Sequence, residues 1–200
     1  MKLLTQNSKL KKDNIWSFGL PAVKTCPQAG ECANYCYARK GRYVFGTVKS
    51  HKERCFDHSK TLLFIRDICR EIDSHQQSGI NIIRIHDSGD FYNRLYARQW
   101  FAIAKRKPNI IFYAYTKSVE MFKEFRLGRN ADNTHVIPDN FRVIYSYGGK
   151  QDQLIDINLD RHAWIFDNEQ DLRLAGYVDC SESDLLTATT DSLKIGLIYR

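Results

Sequence analysis

Two hydrophobic periods alternate along the middle of this chain, and that alternation restricts its fold more than any other feature. Residues 61–75 place Leu62, Ile65, Ile68, Cys69 and Ile72 at three- and four-residue spacing, the stripe of an amphipathic helix. After a break at Ser78-Gly79, residues 80–85 form a β-branched run suited to a buried strand. Asn93 is a good N-cap for a second helix, which carries Tyr96, Trp100 and Ile103 on one face and stops before Pro108. A strand over 110–115, a short helix over 119–126 and a turn-rich loop over 127–138 follow. A strand over 141–147 then ends in Gly148-Gly149, and short strands are expected at 163–166 and 194–199.

Strands separated by helices imply parallel βαβ units with right-handed crossovers. About five or six strands fit the length, too few for an eight-fold barrel. The expected fold is therefore α/β, a single domain over residues 1–200 forming an open, partial (βα) barrel of mostly parallel strands. In such folds ligands gather at the carboxyl ends of the strands. That rule selects His86, Asp87, Ser88, Gly89 and Asp90 after one strand, Thr116 and Lys117 after the next, and Ser146 after the third. Each has a plainer reading beside it. His86 is equally a core histidine, Asp90 a turn or helix cap, and Lys117 a solvated surface residue.

Composition narrows the class of protein. No apolar run approaches the roughly 20 residues of a membrane span. Thr5-Gln6-Asn7-Ser8 interrupt the position where a secretory leader would continue, so a cytoplasmic location without membrane association is expected. The formal charge of +7 suits a phosphate-bearing partner, nucleic acid included, but the basic residues form no dedicated arm. Six cysteines in such a chain argue for metal binding over a disulfide framework.

Three of those cysteines lie close together, Cys26, Cys32 and Cys36, in the pattern C-x5-C-x3-C. Pro27 and Gly30 make the intervening segment a loop, so three soft thiolates can converge on one metal centre. A 4Fe-4S cluster is the first expectation, because three cysteines leave one iron open to a ligand. Cys180 is a candidate fourth ligand that would close it. Zinc is the alternative, with His51, Cys55 and His58 as further donors on one helix face or, more plainly, as a polar face alone.

The three-cysteine loop ahead of a βα series, with the aromatic Tyr35 before its last cysteine, resembles the radical S-adenosylmethionine superfamily, whose usual spacing is C-x3-C-x2-C. That resemblance implies S-adenosylmethionine as cofactor. The loop Ser88-Gly89-Asp90 would then hold its amino group, with Asp87 or Asp90 pairing the ammonium. A second resemblance covers most of the chain. Cys26-Pro27 to Cys36-Tyr37-Ala38, His86-Asp87-Ser88-Gly89-Asp90-Phe91, Tyr113-Ala114-Tyr115-Thr116-Lys117-Ser118 and Ile195-Gly196-Leu197 are similar to the bacteriophage gene product 88 family. It implies a phage or prophage origin and activity in a bacterial host.

The leading expectation is thus a small radical-type iron–sulfur enzyme acting on a small molecule or a nucleic acid. The alternative is a non-enzymatic, metal-stabilised protein that binds nucleic acid or a host factor. Tyr35, Tyr37, Tyr43 and Phe45, interleaved with Arg39, Lys40 and Arg42, would supply its contacts, or else form core and rim of the barrel. A nuclease using Asp87 and Asp90 around a hard cation ranks last, because it leaves the cysteine loop unused.

Overall fold

The computed structural model describes residues 2–199, apart from 76–78, 132 and 134. Among the described residues, seven strands form one parallel sheet in the order β1-β2-β3-β4-β5-β7-β6, curled into an open half-barrel. They are β1 (Ile15–Phe18), β2 (Ile82–Ile85), β3 (Ile111–Thr116), β4 (Phe141–Ser146), β5 (His162–Phe166), β6 (Val178–Asp179) and β7 (Lys194–Ile198). The helices are α1 (Ser8–Lys12), α2 (Gly46–Ser59), α3 (Phe64–His75), α4 (Arg94–Arg106), α5 (Val119–Leu127), α6 (Glu169–Leu174) and α7 (Asp184–Thr189). No helix among the described residues is long and apolar enough to cross a membrane.

Side-chain alternation along the strands divides the apolar residues into two cores. Ile83, Ile85, Phe112, Ala114 and Val143 pack outward with residues of α3, α4 and α5. Ile82, Tyr113, Ile144, Ala163 and Ile195 face the concave side, joined by Leu10 of α1 and Ala188 of α7. Helix α4 starts as expected, with the Asn93 side chain accepting a hydrogen bond from Tyr96 N at 2.8 Å. Its Trp100 is fully buried and meets Phe18 and Phe64 edge-on at 5.3 and 5.5 Å.

Strands β1 and β6 and helix α2 extend the pattern read from the sequence. Helix α2 buries only Lys52, Cys55 and Ser59, so it carries no apolar stripe to betray it. Strand β6 is two residues long. The expected break at Ser78-Gly79 falls in part outside the described residues; Gly79 itself has φ +73°.

At the end of β2, His86 adopts φ +69°, a left-handed conformation unusual for a residue with a Cβ. Its ring packs edge-on to Phe91 at 4.6 Å and shares a hydrogen bond of 2.8 Å with the Tyr96 hydroxyl. His86 is therefore a core histidine, and its ring belongs to the outer layer. Burial, with a smaller contribution from Lys52, pushes its imidazole down to about 3 from the ordinary 6.5. The unfolded chain takes up this proton near 6.5 and the folded chain resists it, so stability falls as pH falls through that window. Denaturant midpoints measured against pH are expected to show a shallower acid loss for His86→Asn, a substitution compatible with positive φ. In the same measurement, Trp100→Ala is expected to cost about 3–5 kcal/mol.

Candidate functional site

Because all the strands are parallel, their carboxyl ends share one rim, and the loops beyond β2, β3 and β4 meet there. With the cysteine loop they enclose a cavity of about 400 Å³. Cys26, Cys32 and Cys36 line it from the loop, and Gly89, Asp90, Thr116, Lys117 and Ser146 from the strand ends.

The cysteine loop is held by backbone contacts to the segment after β4. Ala29 bridges Gly149 in antiparallel fashion, Cys32 N donates to Gly148 O at 3.1 Å, and Lys150 N donates to Gln28 O at 2.9 Å. These contacts require glycine. A Cβ on Gly30 would lie 2.9 Å from the Gly149 carbonyl carbon, and Gly148 has φ +96°. The Asp152 carboxylate holds the other partner in place by accepting from Gly148 N and Gly149 N at 2.7 and 2.9 Å.

The loop after β2 is equally determined. Leu20 N donates to Ser88 O at 2.8 Å and the Ser88 hydroxyl donates to Leu20 O at 2.6 Å, continuing the β1–β2 pairing. Asp90 is buried and accepts from Phe91 N, the Thr116 hydroxyl and Lys117 N at 2.7, 2.7 and 2.9 Å. Burial pushes its carboxyl up, and these hydrogen bonds counter that only in part. Asp90 thus locks two loops together while also lining the cavity. Lys117 departs from the surface reading: its ammonium donates to Ser146 O, the Ser146 hydroxyl and Tyr147 O at 3.0, 3.0 and 2.7 Å.

Asp87 does not line the cavity, contrary to the expected ligand role. Its carboxylate pairs with Lys52 of α2 beside Gly19, where even a Cβ would collide with both side chains. Asp87 is thus paired with Lys52, while Asp90 lines the cavity and serves the loop lock. His86 also lines the cavity, although its ring packs against Phe91 and Tyr96, and its Nδ1 is buried without a hydrogen-bond partner.

Burial, the Asp90 charge and the neighbouring cysteines push the Cys26 thiol up to about 12. Burial also raises Cys32, against the pull of the Lys117 ammonium. Charges on Cys32 and Cys36 both raise Cys26, so the three thiols sense one another. A metal centre here would displace their protons and form soft thiolate ligands, the donor chemistry of iron–sulfur and zinc sites. Among the described residues, no group of three or more His, Cys, Asp or Glu side chains is set to hold a single metal ion. Cys180 lines the same cavity from beyond β6, but its strongest electrostatic neighbours are Asp179, Arg161 and Lys9, with a hydrogen bond to Thr187. On α2, Cys55 is buried beside His51 at 3.7 Å, while His58 pairs with Asp67 at 3.1 Å. That helix face is structural.

The segment with Tyr35, Tyr37, Tyr43 and Phe45 forms rim, and its three short 3-10 turns bury no residue. The Tyr37 and Tyr43 hydroxyls both donate to Asp87 O, fastening this rim to the β2 loop. Sequence reasoning missed Arg84, Tyr115 and Asp184, which also line the cavity. Arg84 left one signal: a charged residue inside the apolar run Ile82-Ile83-Arg84-Ile85.

No solved structure matches the chain. Among curated proteins it is similar to the "Gene 88 protein" of Mycobacterium phage L5, with 29% identity over 142 residues. That match covers 64% of this chain and 59% of the relative, less than two thirds of the relative's length. A family profile described as "Gene product 88" matches residues 1–197, and on that nearly full-length match the chain belongs to the gene product 88 family.

Proposed function

We propose that this chain is a small iron–sulfur enzyme of phage origin, working in the cytoplasm of a bacterial host, with a cavity for S-adenosylmethionine. The observation that carries the reading is the convergence of Cys26, Cys32, Cys36 and three strand-end loops on one cavity. The three cysteines would hold a 4Fe-4S cluster. Similarity to the phage L5 protein supports the origin.

Held by Cys26, Cys32 and Cys36, such a cluster would supply one-electron reduction chemistry to a bound S-adenosylmethionine. The chain's own residues prepare the place. Lys117 puts a positive charge beside Cys32 and favours its thiolate. Gly89, at φ +84°, bares its backbone at the cavity wall. Tyr35 and Tyr37 stand at the cavity and limit the entry of water.

A second reading, a zinc-stabilised protein that binds nucleic acid or a host factor, is favoured by the rim. Tyr37 and Phe45 are 56% and 58% exposed there, beside the exposed Arg39, Lys40 and Arg42, a combination suited to bases and phosphates.

Iron, sulfide and zinc assays on protein purified without oxygen separate the two. The first reading expects about four irons with matching sulfide per chain and broad absorption that bleaches on reduction. One zinc and no iron would instead favour the binding protein. Cys36→Ser is expected to remove the metal in either case, and full metal content in that variant would refute the cysteine site itself.

A further inference from the structure

The cavity extends past the strand ends along the concave face, where a buried ionic cluster stands apart from the cysteines. Arg84 of β2 donates from Nη1 to Asp184 Oδ1 at 2.8 Å, and the Tyr113 hydroxyl donates to the same oxygen at 2.6 Å. Lys9 Nζ pairs with the other oxygen at 2.9 Å and also donates to Ser181 O at 2.8 Å. Burial pushes Asp184 up, but Arg84, Tyr113 and Lys9 outweigh it and hold its carboxyl below the usual range. The carboxylate is therefore ionised at neutral pH, with Oδ1 hydrogen-bonded and Oδ2 held by the Lys9 ion pair.

Two cations share that one carboxylate, so these three side chains together carry one net positive charge at the cavity wall. Arg84 exposes 19% of its side chain and Lys9 39%, and both line the cavity. The Arg84 Nε is buried without a hydrogen-bond acceptor, so the guanidinium is under-satisfied by the protein alone. Its Cζ lies 5.5 Å from the centre of the Tyr115 ring, within cation–π range. Arginine in that state favours a planar, two-pronged oxyanion.

We propose that this end of the cavity is a recognition subsite for an oxyanion, carboxylate or phosphate, carried by the molecule the protein acts on. The bound oxyanion would cancel the net charge by contacting the part of the Arg84 side chain that reaches the cavity, with Lys9 beside it. Tyr37, Tyr115 and Tyr199 would wall the group that carries it. The subsite deepens the proposed function by naming a feature of the substrate, yet it rests on none of the cysteines.

The test is titration of the full chain with inorganic phosphate and, separately, acetate, at fixed ionic strength, followed by calorimetry or backbone NMR shifts. Saturable binding of one or both is expected, weakened roughly tenfold or more in Arg84→Lys, which keeps the charge for Asp184 but loses the fork. Binding of phosphate alone marks a phosphoryl group and binding of acetate alone a carboxylate. Lys9→Met leaves Asp184 with Arg84 and Tyr113, and it is expected to weaken binding in the same direction. It also keeps the test decisive if Arg84→Lys does not fold. No saturable binding of either anion, or binding indifferent to both substitutions, overturns the subsite. Repeating the titration on Cys36→Ser separates the two proposals, since anion binding is expected to survive there whatever happens to the metal.

Discussion

Strands in a parallel sheet share hydrogen bonds along their length, so the loops beyond their carboxyl ends must be joined by other means. Asp90 makes the first joint. Its carboxylate ties the loop after β2 to Thr116 and Lys117 after β3. Lys117 makes the second by reaching Ser146 and Tyr147 after β4. Gly148 and Gly149 make the third by receiving the cysteine loop. Hydrogen bonds to charged groups are worth about 1.5–3 kcal/mol each when buried, enough to define the geometry of a rim that no ladder reaches. Remove Asp90 and the series loses its first member, with two buried donors left unpaired.

That series also shapes the electrostatics of the cavity. Burial and the Asp90 charge both push the Cys26 and Cys32 thiols up. A metal centre there, as proposed, would supply the opposite charge. Lys117 is the protein's own contribution in the same sense, and it stands nearest in effect to Cys32. The Arg84–Asp184–Lys9 cluster solves a different problem on the concave face. There a buried arginine needs a counter-ion, and the chain offers one carboxylate to two cations.

Much of this architecture was legible in the sequence, and the exceptions share a cause. Helices α3 and α4 and strands β2, β3 and β4 announce themselves because each buries a regular apolar face. Helix α2 buries a lysine, a cysteine and a serine, and β6 is too short to show a period. The strand-end rule found the cavity's rim, but it could not tell Asp87 from Asp90. One turned to a lysine 35 residues earlier, the other to a threonine 26 residues later. Asp184 lies 100 residues from Arg84, and pairings at such range leave no local pattern. The cysteine spacing revealed a shared loop, whereas its seat on Gly148 and Gly149 became visible only in three dimensions.

The seat of the cysteine loop has a further consequence. In a zinc finger the metal is the organising element, and the apo chain is unfolded. Here the loop is fastened by main-chain contacts to its neighbours. The main chain after β4 thus sets where the loop lies, so a change at Gly148 or Gly149 would be felt at the three cysteines without touching them.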